Sequence, residues 1–185
     1  MKPRQIVTTV LVALLIGAAV AAADADGEDA KRADRVLRDM GPDLVAAAST
    51  LLISQPVAGD LFDAAGTLDV HGDVGGDALL AGGTVGVNAA VKNGVYAAGG
   101  RVAINAPAQR NVRIAGGSIE IGPQAKIAGN VALAGGDVTV HGPIDGYLRV
   151  GAGRVLINAA IGGDVEVGAG SLELGPNARI TGRLR

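Results

Sequence analysis

The sequence predicts an all-β fold, a single-stranded parallel β-helix that follows an N-terminal signal helix. Three features of the chain indicate this fold. A phrase of about 17 residues recurs about eight times, apolar residues alternate with small or polar ones inside each copy, and turn-forming pairs separate the apolar runs. A fixed period of this length is typical of a solenoid, in which each repeat is one coil stacked on its neighbour.

The repeat is clearest in residues 57–73, and the next copy begins at Val74. One small residue, which we call the landmark, marks the same point of every copy. The landmarks are Ser49, Gly66, Gly83, Gly100, Gly117, Gly136, Gly153 and Gly170. One interval is longer than the others, and a short insertion at residues 122–126, echoed at residues 175–179, explains it. Residues 180–185 begin a further coil and stop.

Apolar residues stand two apart after each landmark, as in Leu68/Val70 and Ile119/Ile121. The same spacing precedes the landmark in later coils, and a third inward position, such as Val57, opens each coil. Such alternation predicts strands with one buried face. We therefore expect three short strands and three bends per coil. Coils at the ~4.8 Å spacing of paired strands would form a rod roughly 40 Å long.

Other folds fit the chain less well. No window after Met40 has a sustained helical period of apolar residues, which argues against helical repeats. A sandwich or antiparallel barrel would not need so regular a repeat. A left-handed hexapeptide helix has about 18 residues per coil, and crossovers between parallel strands favour the right hand. The sequence therefore favours a right-handed β-helix over residues 40–185.

Residues 1–23 have the pattern of a secretory signal peptide. Lys2 and Arg4 precede an apolar stretch at residues 6–20, and residues 21–23 are all Ala, as at a cleavage site. The alternative is a retained anchor, because about 18 apolar or neutral residues just span a bilayer. The alanines favour cleavage. Either reading predicts export to the periplasm or cell envelope, with inner-membrane anchoring if the leader is retained.

The highly charged residues 24–39 form either a linker or a cap. A solenoid needs its first coil covered, because an open end exposes unpaired backbone and core side chains. A short helix with Val36 and Leu37 on one side is a further reading of this segment.

Composition excludes several classes of site. The chain has one Phe, no Trp, 30 Gly and no Cys, and its formal net charge is -2. The slightly negative charge does not predict binding to nucleic acid. The few aromatic residues also provide too few surfaces on which the bases of a single strand could stack. Without Cys there are no disulfides, thiol catalysis or thiolate metal sites.

The two histidines, His71 and His141, each follow a strand at the same place in their coils. They are four coils, or about 20 Å, apart, so they cannot share a metal ion or one catalytic centre. Each is predicted to face solvent from a turn. No insertion is long enough to build a pocket, so we expect no catalytic residues and no cofactor.

A column of Asp and Asn falls at the fourth position of the coils. Its members are Asp43, Asp60, Asp77, Asn111, Asn130 and Asp164. Stacked carboxylates could hold Ca²⁺, but the Gly-Gly-x-Gly-x-Asp pattern of calcium-binding β-rolls is missing. Side chains that bond their own turn backbone would explain the column without an ion. No metal is therefore expected.

A candidate interaction surface lies on the outside of the first four coils. We call it the apolar stripe, and it consists of Val45, Phe62, Leu79 and Tyr96. A column of small residues flanks it, namely Ala47, Ala64, Ala81, Ala98, Ala115 and Ala134. Exposed apolar patches of this kind usually mark a surface that binds a protein or a membrane. Either residues 24–39 fold over the stripe, or it contacts a membrane, another rod or a cell-wall partner.

The repeated phrase, seen at residues 74–77, 161–165 and 178–184, resembles the bactofilin, or polymer-forming cytoskeletal, family. The resemblance implies a right-handed β-helix that polymerises end to end without nucleotide and acts as a scaffold near the membrane. Two features depart from the family. Its best-known members are cytoplasmic, whereas this chain has an export signal. They also carry flexible tails on both sides, whereas this C-terminus lies within a coil.

These observations predict a non-enzymatic, exported scaffold protein that self-associates through its coil ends or its apolar stripe. The second hypothesis is a monomeric binding module of the envelope that uses the stripe to contact a membrane protein or the cell wall. A carbohydrate-active enzyme is the least favoured hypothesis, because such enzymes on β-helices need clustered acids and long loops.

Overall fold

The structure is a computed structural model, and it describes residues 36–185 of the 185-residue chain. This part contains strands and no helix. The strands are β1 (Val36–Met40), β2 (Asp43–Ile53), β3 (Leu61–Val70), β4 (Ala78–Val87), β5 (Val95–Ile104), β6 (Val112–Ile121), β7 (Val131–Val140), β8 (Leu148–Ile157), β9 (Ala160–Ile161), β10 (Val165–Leu174) and β11 (Arg179–Ile180).

Parallel pairing of successive coils confirms the predicted all-β solenoid. The main sheet has nine strands in the order β1-β2-β3-β4-β5-β6-β7-β8-β10. From β2 to β10 every pair is parallel, and residues about 17 apart are partners, such as Leu68 and Val85. The molecule thus has about eight turns. Its handedness stays a prediction, and the signal helix lies outside the described residues.

Each coil has one long strand where the sequence predicted two short ones. The strand runs through the landmark: Ala65 pairs with Gly82, Thr67 pairs with Thr84, and Gly66 between them is skipped. A glycine landmark lets the backbone bend without breaking the ladder on either side, because it places no side chain in the corner. The expectation of three separate strands per coil is therefore wrong.

The third side of each coil is a single bridge. Val57, Val74 and Val91 pair in sequence, and the series continues through Ala108, Ile127, Ile144 and Ile161. These are the inward positions predicted to open each coil. Bends flank this paired residue on both sides, so the third side of each coil is short. The short pair β9–β11 ends the series.

A narrow aliphatic axis fills the solenoid. Inward residues stack directly above one another, as in the column that contains Leu68, Val85 and Val102, each fully buried. Fully burying a side chain of this kind stabilises a protein by about 1.5–3 kcal/mol. Because the same column repeats in every coil, each coil buries its neighbours' side chains and cannot bury its own alone.

The insertion at residues 122–126 lies between β6 and β7. It forms a turn in which the Ala125 backbone N–H donates to the Gly122 oxygen at 3.0 Å, and the Ala125 side chain is fully buried. The equivalent turn near the C-terminus has the same bond, from the Ala178 N–H to the Gly175 oxygen at 3.0 Å. Both insertions thus preserve the coil, as the sequence predicted.

A hairpin starts the described chain. β1 pairs antiparallel with the first half of β2, and Gly41 and Pro42 form the two-residue connection. Gly41 has a φ of 73°, which suits the first central position of a II′ hairpin turn. Val36 and Leu37 therefore belong to a strand, and the short-helix reading of these residues is wrong. The rest of the segment 24–39 lies outside the described residues, and its role as linker or cap stays a prediction.

The landmark glycines should tolerate a side chain poorly. A Cβ at Gly83 would lie 2.8 Å from the Gly66 oxygen in the coil below, whereas a Cβ at Gly151 would meet nothing within 4 Å. We expect Gly83→Ala to lower the free energy of unfolding by about 1–3 kcal/mol, as overpacking does. Gly151→Ala should change it by less than about 1 kcal/mol. Urea unfolding measures both, and equal effects would contradict the stacking of these corners.

Candidate functional site

The C-terminal coil leaves core residues in contact with solvent. Leu172 and Leu174 continue the inward columns that contain Val155 and Ile157 in the coil before. Val155 and Ile157 are 1% and 0% exposed, whereas Leu172 and Leu174 are 41% and 48% exposed. Within residues 36–185, no further coil packs against this one. Two aliphatic side chains of the inward columns therefore lie at the surface.

The backbone of the last coil is also incomplete. Near its start, the β10 edge bonds the tail: the Val165 N–H donates to the Arg183 oxygen at 2.8 Å, and the Val167 N–H donates to the Arg185 oxygen at 2.9 Å. Beyond Val167, the described chain places no strand on that edge, because β10 is the last strand of the sheet. An edge with free N–H and C=O groups is a template for pairing with another strand.

The two ends of the described rod differ. At the N-terminal end, β1 covers the first half of β2. Leu51 and Ile53, which are the counterparts of Leu172 and Leu174, are only 3% and 5% exposed. The exposed core side chains therefore lie at the C-terminal end of the described rod.

Charge is distributed unevenly along the chain. Residues 41–91 contain six Asp and no Lys or Arg, whereas residues 92–185 contain ten Lys or Arg and six Asp or Glu. The last coil, residues 158–185, balances three acids against three arginines. A second copy placed against this end would therefore meet no net charge of either sign.

The apolar stripe is aligned as the sequence predicted, but it is not freely exposed. Val45, Phe62, Leu79 and Tyr96 are successive partners in the ladder. Leu79 is only 7% exposed, and the other three side chains are half-buried. Arg113 is the next member of the column and is exposed. That the stripe forms a contact with another molecule or segment stays a prediction.

The histidines occupy turns, four coils apart. Each follows a strand, and its backbone N–H donates to the strand of the previous coil, from His71 to the Ile53 oxygen and from His141 to the Ile121 oxygen. The His71 side chain is exposed, and the His141 side chain is half-buried, with Nδ1 3.5 Å from the Asn158 Nδ2. The geometry therefore separates the two rings, as the sequence predicted.

The Asp and Asn column bonds the next coil, which corrects the prediction that each side chain bonds its own turn. The Asp43 Oδ1 accepts the Asp60 N–H at 2.8 Å, the Asp60 Oδ1 accepts the Asp77 N–H at 2.7 Å, and the Asp77 Oδ1 accepts the Gly94 N–H at 2.7 Å. The same bond recurs in later coils. Stacking places a backbone N–H of the next coil within hydrogen-bond distance of each of these side chains. The column therefore joins successive coils along one corner.

Two open grooves lie near the ends, although the sequence predicted no pocket. One, of about 430 Å³, is lined by residues of the first coil such as Asp43 and Gln55. The other, of about 470 Å³, is lined by Tyr147, Arg149 and Glu166 among others. The Arg149 Nη2 lies 2.7 Å from the Glu166 Oε2, and both side chains are exposed. Exposed pairs of this kind contribute little to stability.

Two searches of the described residues bear on chemistry. In residues 36–185, no group of three or more His, Cys, Asp or Glu is arranged to hold a metal ion. Across the same residues, no helix is long and apolar enough to cross a membrane.

Asp63 is the residue that sequence reasoning missed. It lies in an inward column, between Ala46 and Leu80, and its side chain is fully buried. Neither carboxyl oxygen has a hydrogen-bond partner. Aligning the coils would have found it, because the equivalent residues Ile114 and Leu133 are aliphatic.

Burial raises the pKa of Asp63 to about 7, and the nearby backbone of Ala46 opposes this rise only in part. The folded chain therefore holds a proton on this carboxyl up to about pH 7, whereas the unfolded chain loses it near 3.8. Stability from this group is greatest below the lower value and falls as pH rises between the two. At 1.36 kcal/mol per pKa unit, the loss amounts to at most about 4 kcal/mol.

Removing the carboxyl should remove this pH dependence. We expect Asp63→Asn to unfold with a free energy that changes much less between pH 4 and pH 8 than that of the unchanged chain. Glu120→Gln, which removes an exposed carboxylate, should keep the original slope. Urea unfolding across this pH range measures all three proteins. A slope that survives in Asp63→Asn would show that the carboxyl is not buried as described.

Comparisons of the chain with models of protein families, with curated proteins and with solved structures found no match. The similarity to bactofilins therefore stays a prediction from the repeated phrase, and the arguments below depend on the geometry of this chain alone.

Proposed function

We propose that this protein is a non-enzymatic structural protein of the cell envelope, a β-solenoid rod that associates with further copies of itself through its C-terminal coil. The observation that carries the proposal is the exposure of Leu172 and Leu174, at 41% and 48%, in columns that are buried in the shaft. Covering them would complete the core that the shaft already has. Because both are already about half-buried, covering the rest would contribute about 1.5–3 kcal/mol in total before the costs of association.

Strand pairing adds to the leucine contact. A coil of about 17 residues at about 3.3 Å per residue has a perimeter of roughly 55 Å, so the end of the rod is small. Leucines alone would give a weak contact. The free edge of β10 beyond Val167 offers backbone groups that a strand of a second copy can pair with. The exposed leucines and the free strand edge together suit the stacking of a second copy on this end of the rod.

The N-terminal end suits stacking less well. A copy that continued the rod at this end would have to pair with the first half of β2, which β1 already occupies. The simplest pair of rods therefore joins two C-terminal coils about a two-fold axis, since the same surface then serves both partners. Longer assemblies would need β1 to leave β2 or a second contact along the shaft.

The cell-envelope location rests on the leader. Residues 1–23 have the charged start, apolar stretch and alanines of a signal peptide. If the leader is retained, the same residues would anchor the rod to the inner membrane.

An envelope binding module is the second candidate. The free β10 edge could accept a strand from a different protein as readily as from a second copy, because backbone pairing does not depend on the partner's identity. Such a module would remain a discrete rod at high concentration. A carbohydrate-active enzyme stays the least favoured function.

A charge at the open end should prevent self-association. We expect the mature chain from residue 24 to form filaments or paired rods in electron micrographs, and Leu172→Glu to give separate rods, because a buried unpaired carboxylate is costly. Leu156→Glu is the matched control, since it lies outward in the shaft beside Glu173 in the ladder. Discrete rods of the unchanged protein at high concentration would contradict the proposal.

A further inference from the structure

Acidic and basic residues are separated along the first half of the described rod. Residues 41–91 contain six Asp and no Lys or Arg, whereas residues 92–119 contain four Lys or Arg and no Asp or Glu. None of these charged residues forms an ion pair. In later coils, by contrast, ion pairs join neighbouring coils, as between Arg154 and Asp137. The first coils therefore carry charges that the described chain does not neutralise.

Some of these charged residues lie on one corner of the rod, the turn that precedes each long strand. Backbone hydrogen bonds stack this turn in register from coil to coil. The Gly76 N–H donates to the Gly59 oxygen at 2.8 Å, and the Arg110 N–H donates to the Asn93 oxygen at 3.1 Å. We call this corner the charged edge. From the second coil to the fifth, its charged members are, in order, Asp60, Asp77, Lys92 and Arg110.

The charged side chains of this edge are available to a partner. The Asp60 Oδ1 accepts the Asp77 N–H, and the Asp77 Oδ1 accepts the Gly94 N–H. The other oxygen of each carboxylate accepts no hydrogen bond from the described residues. The Lys92 and Arg110 side chains are exposed, and no described group pairs with either of them.

The acidic half of the charged edge is also flat. The two residues before Asp60 are Ala and Gly, and the two before Asp77 are both Gly. In these two turns, therefore, no side chain larger than a methyl group precedes the carboxylates. A flat surface with short acidic side chains suits a partner with long cationic ones. Lys92 and Arg110 have such side chains, on stems of several methylene groups.

A second copy of this chain has charges that match the whole edge. If two rods lie antiparallel about a two-fold axis between the third and fourth coils, the third coil of one faces the fourth coil of the other, and the second faces the fifth. Asp77 then meets Lys92 of the second copy, and Asp60 meets Arg110 of the second copy, each pair occurring twice. Parallel rods in register would place like charges together. An anionic polymer would match only the basic half.

From this arrangement we infer that the charged edge is a contact surface through which two rods pair side by side in antiparallel orientation. Exposed ion pairs contribute little individually, so this contact is weak and sensitive to salt. It is separate from the C-terminal coil and does not depend on the contact proposed there. A rod that is joined both at its end and along this edge can enter assemblies longer than a pair.

Thiol cross-linking of the purified protein tests the geometry, because the chain has no Cys of its own. Ala58 and Gln109 are exposed and occupy the same position in the second and fifth coils. In the antiparallel pair they face each other, whereas two copies of Ala58 would be three coils, or about 14 Å, apart. A short bis-maleimide should therefore cross-link a mixture of the Ala58→Cys and Gln109→Cys proteins at least about 10-fold faster than either protein alone.

Two results of this experiment would overturn the inference. Equal cross-linking of the mixture and of each protein alone would show that the rods do not pair antiparallel along this edge. A mixture that gives no cross-linked dimer at high protein concentration would show that the edge is not a contact between copies.

Reversal of one charge tests the electrostatic basis of the contact. With Lys92→Glu in both cysteine proteins, Asp77 of the second copy would face a carboxylate, so cross-linking should fall at least about 10-fold. Arg101→Glu is the matched control. It makes the same change of charge at an exposed residue beyond the landmark bend, and it should alter the rate by less than about 2-fold. Salt at about 1 M should slow cross-linking of the unreversed mixture, because it screens exposed charges.

The same mixture separates this contact from the contact proposed at the C-terminal coil. Leu172→Glu alters the end coil alone, so the cross-link along the shaft should form in that background at the same rate. Its loss there would overturn the independence of the two contacts. Cross-linking that persists with Lys92→Glu, or that falls equally with Arg101→Glu, would overturn the pairing of Asp77 with Lys92.

Discussion

The parallel ladder between successive coils is the interaction on which every other feature of this molecule depends. Backbone hydrogen bonds of the ladder join each coil to the coils on either side of it, and its inward residues, such as Leu68 and Val85, are buried by the same neighbours. A single coil has neither a core nor a closed set of hydrogen bonds. Stability therefore arises at the contacts between coils, as in other repeat proteins.

A ladder of this kind makes the ends of the rod the sites where function is to be sought. Within the shaft the inward residues form one buried aliphatic cluster, and equivalent outward residues lie one coil apart. At the last coil the same columns lose their cover, so Leu172 and Leu174 face solvent. This exposed surface is the one through which we propose that copies of the protein associate.

The sequence predicted the features that the repeat determines. The period, the inward columns, the third apolar position and the alignment of the apolar stripe all follow from residues that recur at fixed places, and the structure has each of them. Sequence reasoning could also place His71 and His141 in equivalent turns, because the register alone decides their separation.

Other features depend on three-dimensional contacts that a period does not encode. The strand continues through Gly66 because the ladder is maintained on both sides of the bend. The Asp43 side chain bonds the next coil because stacking brings that backbone N–H within 2.8 Å. Asp63 breaks the aliphatic column at one coil only, and a pattern defined by what recurs does not reveal a single exception.

Hydrogen exchange of the β10 amides as the concentration of the mature protein increases tests the central claim most directly. If the C-terminal coil is the contact between copies, the amides of β10 beyond Val167 that point away from β8 should exchange rapidly in dilute solution and at least about 10-fold more slowly in the associated state. Amides in the middle of the shaft, in β6, should not change. Association that leaves β10 exchanging rapidly, or that protects only the β1 and β2 end, would contradict the account.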